Sequence, residues 1–351
     1  MTPATPVTPV TPVTPVTAPV TPPASPLAPV TPAQVRQLTV DEGSAGQRLD
    51  NFLIRELKGA PKTLVYRIIR SGEVRINKGR CSADSRLAVG DVVRVPPVRL
   101  AEKPAGQAAA VPAREFPIVF EDEHLIVVDK PAGVAVHGGS GVSFGVIEQL
   151  RRARPQAKFL ELVHRLDKET SGLLMIAKKR SALTHLQDQL RDRETGKTYA
   201  ALVAGTWPKG RKVVDVPLLK FVGSDGERWV RAVPDPKDPQ LDQAKRSISL
   251  VKVVDACSGY SLLDVTIKTG RTHQIRVHLA HEGHPIVGDP KYGDFEANRA
   301  LARGALRFDR MFLHARQLRV VHPATGETLT LEAPLPDECE TLLAALRRRA
   351  P

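Results

Sequence analysis

The sequence predicts an α+β protein in which a mixed, mostly antiparallel sheet forms the main domain, behind a small module of two helices and a hairpin. Of its 351 residues, 42% are apolar and 25% are charged, as in proteins with packed cores. Predicted strands outnumber helices in the second part of the chain, without regular strand–helix alternation. Between Arg48 and Arg99, 12 Lys and Arg occur with only 5 Asp and Glu, a net charge of +7. We therefore expect a tail (1–35), a basic module (36–97), a linker (98–114) and the main domain (115–351).

The tail has an unusual composition. Its 35 residues include no charged side chain and contain 11 of the 30 prolines, in a Thr-Pro-Val repeat. Such a segment has little surface to bury and few backbone donors, so we expect a disordered, polyproline-like conformation. It lacks the basic start and continuous apolar run of a secretion signal. It is either an inert extension or an arm that binds a partner, and its composition favours the inert extension.

The basic module has the periodicity of two amphipathic helices followed by two short strands. Apolar residues recur at helical spacing in residues 48–57 and 64–69, and they alternate with polar residues in 74–77 and 92–95. A basic surface can be merely solvated, but concentration of the positive charge here favours binding to the phosphates of a nucleic acid. The candidate RNA contacts are Arg48, Arg67, Arg70, Lys78 and Arg80.

The main domain follows a linker rich in Ala, Pro, Gly and Gln. A hairpin is predicted over residues 116–130, because two apolar runs flank an acidic turn. Helical spacing predicts helices over 143–154 and 181–192, and a third helix capped by Thr272 and stopped by Gly283. The other predicted strands cover residues 173–177, 198–204, 229–233, 262–268, 317–321 and 328–332.

Composition and generic motifs exclude several classes of function. No stretch approaches the roughly 20 apolar residues of a membrane span, and the net charge of +13 favours a nucleic-acid partner. The three cysteines form no CxxC, which favours a reducing cytoplasm. A GVSFG run lacks the buried strand of a hydrolase nucleophile elbow, and four histidines within residues 273–284 lack the spacing and companions of a zinc site. We expect neither a metal nor a cofactor.

The segment over residues 159–179 is the strongest candidate for an active site. A charged His-Arg-Leu-Asp-Lys-Glu-Thr patch precedes an almost unbroken apolar run at 173–177. This junction places polar groups at the edge of a core strand, where catalytic residues are often found. Composition alone favours an active site only slightly over an exposed loop with a surface ion pair.

Several separated motifs carry a resemblance to a known family. HRLDKETSGLLMIAKK, preceded by IVVDKPAGVAVHGG and followed by KTYAALVAG, GRTHQIRVHLAHEGHPIVGDPKYG and FLHA, resembles the pseudouridine synthases of ribosomal and transfer RNA. In the basic module, RLDNFL, GEVRIN and GDVVRVP resemble the S4 RNA-binding domain. The resemblance covers residues 37–345. The longer runs KGAPKTLVYRIIRSGEVRINKGR, VHGGSGVSFGVIEQLR and MFLHARQL look most like the members that modify several separate uridines of 23S rRNA near the peptidyl-transferase region.

The resemblance also implies roles for five residues. Asp167 matches the catalytic aspartate, and Arg276 matches the arginine that pairs with it and keeps it ionised. Tyr199 matches the tyrosine stacked near the base, where a phenol could assist loss of the C5 proton. Arg165 matches the residue that fills the stack vacated by a flipped uridine, and Leu313 matches an apolar wall. Because Asp167 is the only partner assigned to Arg276, its neutralisation should leave that arginine without a counter-charge.

The resulting expectation is an isomerase that converts uridine to pseudouridine in large-subunit rRNA or its precursor particle. No group is imported and nothing is oxidised, in keeping with the absence of a cofactor motif. We expect a cytoplasmic monomer without a protein partner or a membrane. Three alternatives remain: a pseudouridine synthase for a different rRNA or tRNA site, a non-catalytic S4-type RNA-binding protein, and a hydrolase that releases uracil. An assay for free uracil separates the hydrolase from the isomerase.

Overall fold

A computed structural model describes residues 34–348, apart from Glu42, Lys58, residues 99–110, residues 140–141 and Asp225. Residues 1–33 of the predicted tail and most of the predicted linker lie outside the described residues. The described chain forms a small three-stranded unit followed by a ten-stranded sheet with associated helices. The predicted α+β class with a mixed, mostly antiparallel sheet is confirmed.

The small unit has two helices against one face of a sheet in the order β1-β3-β2. Its elements are β1 (Arg36–Thr39), α1 (Leu49–Glu56), α2 (Lys62–Arg70), β2 (Arg75–Ile76) and β3 (Val92–Val95). Both helices and the antiparallel β2–β3 pair agree with the sequence pattern. The pattern did not predict β1, because three of its four residues are exposed and only backbone pairing with β3 holds the strand.

The main sheet has the order β4-β5-β7-β14-β8-β13-β12-β9, with β15 paired to β14 and β6 paired to β7. A separate antiparallel pair, β10 with β11, forms a surface hairpin. The strands are β4 (Ile118–Glu121), β5 (Leu125–Lys130), β6 (Glu161–Leu162), β7 (Ser171–Ala177), β8 (Gly196–Ala204), β9 (Val213–Asp215), β10 (Leu218–Val222), β11 (Arg228–Ala232), β12 (Ile248–Cys257), β13 (Tyr260–Ile267), β14 (Leu313–Val321) and β15 (Thr328–Glu332).

The described residues of the main domain form five α-helices and a short 3-10 helix (Leu241–Gln243). The α-helices are α3 (Val146–Ala153), α4 (Arg180–Asp192), α5 (Gln274–His281), α6 (Phe295–Arg303) and α7 (Asp337–Arg348). The prediction that Thr272 caps the third helix is wrong, since α5 begins at Gln274 after His273 in a left-handed conformation. The buried side chain of Gln274 accepts a hydrogen bond from the backbone N–H of Arg271 and donates to the carbonyl of Ile248, so it fixes this helix end to β12. No helix among the described residues is both long and apolar enough to span a membrane.

The centre of the sheet determines where polar loops meet. β7 and β14 pair in parallel, whereas the other strand pairs are antiparallel, and the register places Gly172 opposite Ala315. Gly172 has a φ of +106°, and a Cβ at this position would collide with the backbone of Ala315, so only glycine allows this approach. The loop before β7 therefore lies beside the start of β14 and the middle of β8, which pairs with β14.

Candidate active site

A cavity of about 820 Å³ opens beside these central strands. Its wall contains residues from the loop before β7, from β8, from α5 and from β14. The five residues singled out by the family resemblance all line it: Arg165, Asp167, Tyr199, Arg276 and Leu313. Residues separated by 148 positions in the chain, Arg165 and Leu313, thus lie at one site.

Asp167 lies in this cavity with one carboxylate oxygen held and the other unoccupied. Its side chain is 29% exposed, and its Oδ2 accepts a hydrogen bond from Nη1 of Arg276 at 3.2 Å. Its Oδ1 accepts no hydrogen bond from any described residue. The backbone carbonyl of Asp167 accepts a hydrogen bond from the N–H of Thr170, which closes a turn before β7. The carboxylate is therefore held by Arg276 through one of its two oxygens.

Arg276 has a second carboxylate partner, Asp289, that sequence reasoning missed. Its Nε and Nη2 donate to the two carboxylate oxygens of Asp289 at 2.7 and 2.8 Å, and Asp289 is fully buried. Burial alone would lower the pKa of Arg276, but the hydrogen bonds and charge of Asp289, together with Asp167, raise it overall. The expectation that Arg276 depends on Asp167 for its counter-charge is wrong, because the bidentate contact with Asp289 orients the guanidinium.

A histidine and a tyrosine stand beside this ion pair. His273 Nε2 lies 4.0 Å from Oδ2 of Asp167, and His273 Nδ1 lies 2.8 Å from the hydroxyl of Tyr292. That hydroxyl also accepts a hydrogen bond from the backbone N–H of Val230. Burial lowers the pKa of His273, so the imidazole beside Asp167 favours its neutral form. Sequence reasoning treated His273 only as a member of a histidine cluster and missed Tyr292.

Tyr199 and Leu313 form an apolar part of the cavity wall. Tyr199 is 7% exposed and Leu313 is 4% exposed. Burial, reinforced by the charge of Asp167, raises the pKa of Tyr199, so the phenol stays protonated at neutral pH. The wall can therefore contact a neutral ring without adding a second anion beside Asp167.

A fully buried lysine holds the loop that carries Asp167. The ammonium group of Lys130, at the end of β5, donates to the carbonyls of Pro131, Val134 and Lys168 at 2.9, 2.8 and 3.2 Å. Burial lowers the pKa of Lys130 to about 7. The lysine fixes the backbone next to Asp167 to the turn after β5. In the sequence, Lys130 ends the apolar run IVVDK, and the strand pattern alone predicts no role for it.

The candidate RNA contacts of the basic module do not line the cavity. Arg67 and Arg70 are exposed on α2, and Lys78 and Arg80 are exposed in the turn after β2. Arg48, by contrast, forms an ion pair with Asp50 at 2.8 Å. Arg48 is exposed as well, but its guanidinium already has a carboxylate partner, whereas the other four side chains make no ion pair with a described residue.

Of the four histidines within residues 273–284, His273, His278 and His284 have a hydrogen-bonding partner, whereas His281 is exposed. His278 contacts the hydroxyl of Ser249 and the carbonyl of Val216, and His284 contacts the carbonyl of Ala204. Within the described part of the chain, no group of three or more His, Cys, Asp and Glu side chains is arranged to hold a metal ion.

Comparison with known proteins places this geometry in a family. A model of RNA pseudouridylate synthases matches residues 124–281, and a model of the S4 domain matches residues 47–93. The ribosomal large subunit pseudouridine synthase C of Pasteurella multocida (strain Pm70) is 50% identical over 319 residues, covering 90% of this chain and 95% of the relative. The chain belongs to the RNA pseudouridylate synthase family.

Further relatives agree with this assignment. The protein of the same name from Escherichia coli (strain K12) is 48% identical over 314 residues, covering 88% of this chain and 95% of the relative. Among solved structures, human RNA pseudouridylate synthase domain containing 4 is 28% identical with a TM-score of 0.53, covering 66% of this chain and 93% of that one. This pseudouridylate synthase thus combines the family's catalytic domain with an N-terminal S4 domain, and it is an isomerase of uridine in RNA.

Proposed function

We propose that this enzyme converts several uridines near the peptidyl-transferase region of 23S rRNA to pseudouridine, acting in the cytoplasm as a monomer on the rRNA or its precursor particle. The relatives from Pasteurella multocida and Escherichia coli, which align over about nine-tenths of the chain, are named for the large ribosomal subunit. The S4 domain and the net charge of +13 support an RNA substrate. Asp167 carries the proposal, because its free oxygen faces the cavity.

The reaction breaks the N1–C1′ bond of uridine, turns the bound uracil and joins C5 to C1′. In our proposal Asp167 acts at the sugar, either by attacking C1′ or by removing the 2′ proton. Both routes need an ionised carboxylate with an accessible oxygen. The Arg276 contact at 3.2 Å occupies Oδ2 and leaves Oδ1 for this step.

The base stays bound between bond cleavage and bond formation. We propose that Tyr199 and Leu313 enclose the uracil ring and that Arg276 keeps Asp167 oriented. Burial and the nearby Asp167 charge raise the pKa of Tyr199, so in our proposal the phenol contacts the base in its protonated form. Arg165, exposed at the cavity, would fill the space that the flipped uridine leaves in the RNA stack.

Asp167→Asn tests the central step. We expect pseudouridine formation on 23S rRNA to fall at least about a thousandfold, because the amide can neither attack nor accept a proton. RNA affinity should stay within about threefold, since phosphate contacts dominate it. The free energy of unfolding should fall by about 1 kcal/mol or less, because Arg276 retains the bidentate contact with Asp289.

Asp255→Asn is a matched control. Asp255 is 33% exposed and pairs with Arg347 at 2.8 Å, but it lies outside the cavity, so this variant should keep full activity. A folded Asp167→Asn enzyme that still isomerises uridine at a substantial fraction of the parental rate would refute the proposal. Release of free uracil by the parent enzyme would indicate hydrolysis instead. Mapping pseudouridines in rRNA from a strain without this protein identifies the target uridines.

A further inference from the structure

Lys197 is a cavity residue to which the proposed mechanism gives no role. It precedes Tyr199 by two positions on β8, so both side chains are on the same face of the strand, and both line the cavity. The side chain is half-buried. Its ammonium group has neither a hydrogen bond nor an ion pair with any described residue. A cation that has lost part of its hydration without gaining a carboxylate is an unusual feature of a folded protein.

The other cations of the cavity differ from Lys197. Arg276 is buried but contacts two carboxylates. The remaining lysine and arginines are exposed to water: Arg165, Arg191, Arg193, Lys268 and Arg271. Among the described cations that line the cavity, Lys197 alone combines partial burial with the lack of a counter-charge.

The surroundings of Lys197 offer no protein anion. Its neighbour His164 is neutral, since burial lowers the pKa of that imidazole to about 3, and His164 Nε2 accepts the N–H of Met175. Among the described residues that line the cavity, Asp167 is the only carboxylate, and its Oδ2 is paired with Arg276. At Gly270, a Cβ would lie 3.9 Å from the Lys197 ammonium, so the missing side chain leaves space beside the charge.

We propose that Lys197 binds a backbone phosphate adjacent to the flipped uridine. This inference rests on the proposed function, in which the uracil lies against Tyr199. Two residues along a strand span about 7 Å, so the lysine lies within reach of a phosphodiester attached to the ribose of that uridine. A phosphate supplies the missing negative charge and offsets the loss of hydration around the ammonium group. The site therefore recognises a nucleotide within a strand, and a free nucleoside lacks the group that Lys197 binds.

Burial agrees with this role, because it lowers the pKa of Lys197 in the free enzyme, and a bound phosphate favours the charged form again. The lysine is thus a substrate-binding group whose charge is stabilised by RNA. Its loss should weaken binding of RNA and leave the bond-breaking step at Asp167 largely unaffected.

Lys197→Gln tests the proposal on a short RNA that contains a mapped target uridine. We expect KM to rise about tenfold with kcat within about twofold, and the slope of log KM against log salt concentration to become shallower by about 0.7, the value for one phosphate of a single strand. Lys197→Arg should restore most of the loss. Lys252→Gln, which removes an exposed lysine outside the cavity, should leave KM unchanged. Thermal melting of Lys197→Gln and of a second variant, Lys197→Met, shows whether a rise in KM reflects misfolding.

Substrates with a single neutral methylphosphonate locate the contact. One such linkage, on the 5′ or the 3′ side of the target uridine, should raise KM about tenfold for the parent enzyme and should not raise the KM of Lys197→Gln any further. Linkages far from the target uridine should change KM by the same factor for both enzymes. The inference would be overturned if every linkage changed KM by the same factor for the parent enzyme and for Lys197→Gln. It would also be overturned by an unchanged KM for a folded Lys197→Gln or by a loss confined to kcat. An inactive parent enzyme on the unmodified RNA would refute the proposed function and this inference with it.

Discussion

At the scale of single residues, the site depends on how two carboxylates share one guanidinium. The fully buried Asp289 takes two donors of Arg276, and the partly exposed Asp167 takes one. Asp289 therefore fixes the arginine before any substrate arrives, and the arginine in turn fixes one oxygen of Asp167. This division leaves Oδ1 of Asp167 without a hydrogen bond from a described residue, whereas a bidentate contact to Asp167 would have engaged both oxygens.

Arg165 is suited to contact RNA because nothing in the described structure holds it. The side chain is exposed at the cavity and makes no hydrogen bond or ion pair with a described residue. We predict that Arg165→Ala changes the free energy of unfolding by less than about 0.5 kcal/mol. Its turnover should fall about tenfold more on structured rRNA than on a short unpaired oligonucleotide, because flipping from a stack costs a few kcal/mol.

Single-turnover rates on the two substrates check this prediction. Arg152→Ala, which removes an exposed arginine of α3 outside the cavity, controls for the change in net charge. Equal losses on both substrates would argue against a role of Arg165 in flipping.

At the scale of secondary structure, periodicity predicted the strongly amphipathic elements and failed where burial is uneven. The helix predicted over 181–192 matches α4, and the strand predicted over 328–332 matches β15. The ten-residue β12 was missed, because a bulge near Val253 and a run of exposed residues break its alternation. The helices α6 and α7 were also missed. No residue of α6 is buried, so this helix lacks a core-facing stripe, whereas α7 buries one face at helical spacing that sequence reasoning overlooked.

The same limit applies to the site. The motifs led to Asp167, Tyr199 and Arg276, since each lies in a run that resembles the family. Asp289 and Tyr292 lie in the same family-like run as Arg276, but the run does not show what they contact, because those contacts depend on how the turn after α5 folds back onto the helix. The parallel contact of β7 with β14 is likewise a property of the tertiary structure.

A buried histidine links these two parallel strands. The hydroxyl of Ser171 accepts a hydrogen bond from Arg310 at 2.6 Å and shares a hydrogen bond with Nδ1 of the fully buried His314 at 2.8 Å. Burial lowers the pKa of His314 to about 4. An unfolded histidine titrates near 6.5, so between pH 6.5 and pH 4 the unfolded chain binds a proton that the native protein does not. Stability from this residue is complete above pH 6.5 and is lost as the pH falls.

We predict that the free energy of unfolding decreases between pH 6.5 and pH 4 and that His314→Asn makes this decrease smaller, by up to about 3 kcal/mol. Asparagine keeps an acceptor near Ser171 and cannot be protonated. Urea unfolding at several pH values measures the slope, and His281→Asn, at an exposed histidine, should leave it unchanged. Parallel curves for the parent and His314→Asn would contradict the prediction.

At the scale of the whole molecule, the S4 domain has a core of its own. The buried cluster of this domain uses residues between Val40 and Val95, whereas the buried clusters of the catalytic domain begin at Phe116. The net charge of +7 between Arg48 and Arg99 is more than half of the total of +13. Each domain therefore has its own core, the cavity lies in the catalytic domain, and more than half of the net positive charge lies in and next to the S4 domain.

We predict that removal of residues 1–97 lowers the affinity for rRNA at least about tenfold and makes its salt dependence shallower by at least about 2 in the slope of log K against log salt, because several lysine and arginine contacts to phosphate are lost. Removal of residues 1–35 is the matched control, since this segment has no charged side chain and its loss should change activity on naked rRNA only a few-fold. Binding titrations at four salt concentrations measure both. An unchanged slope without residues 1–97 would refute the assignment of RNA binding to the S4 domain, and a hundredfold loss without residues 1–35 would show that the tail is part of the enzyme.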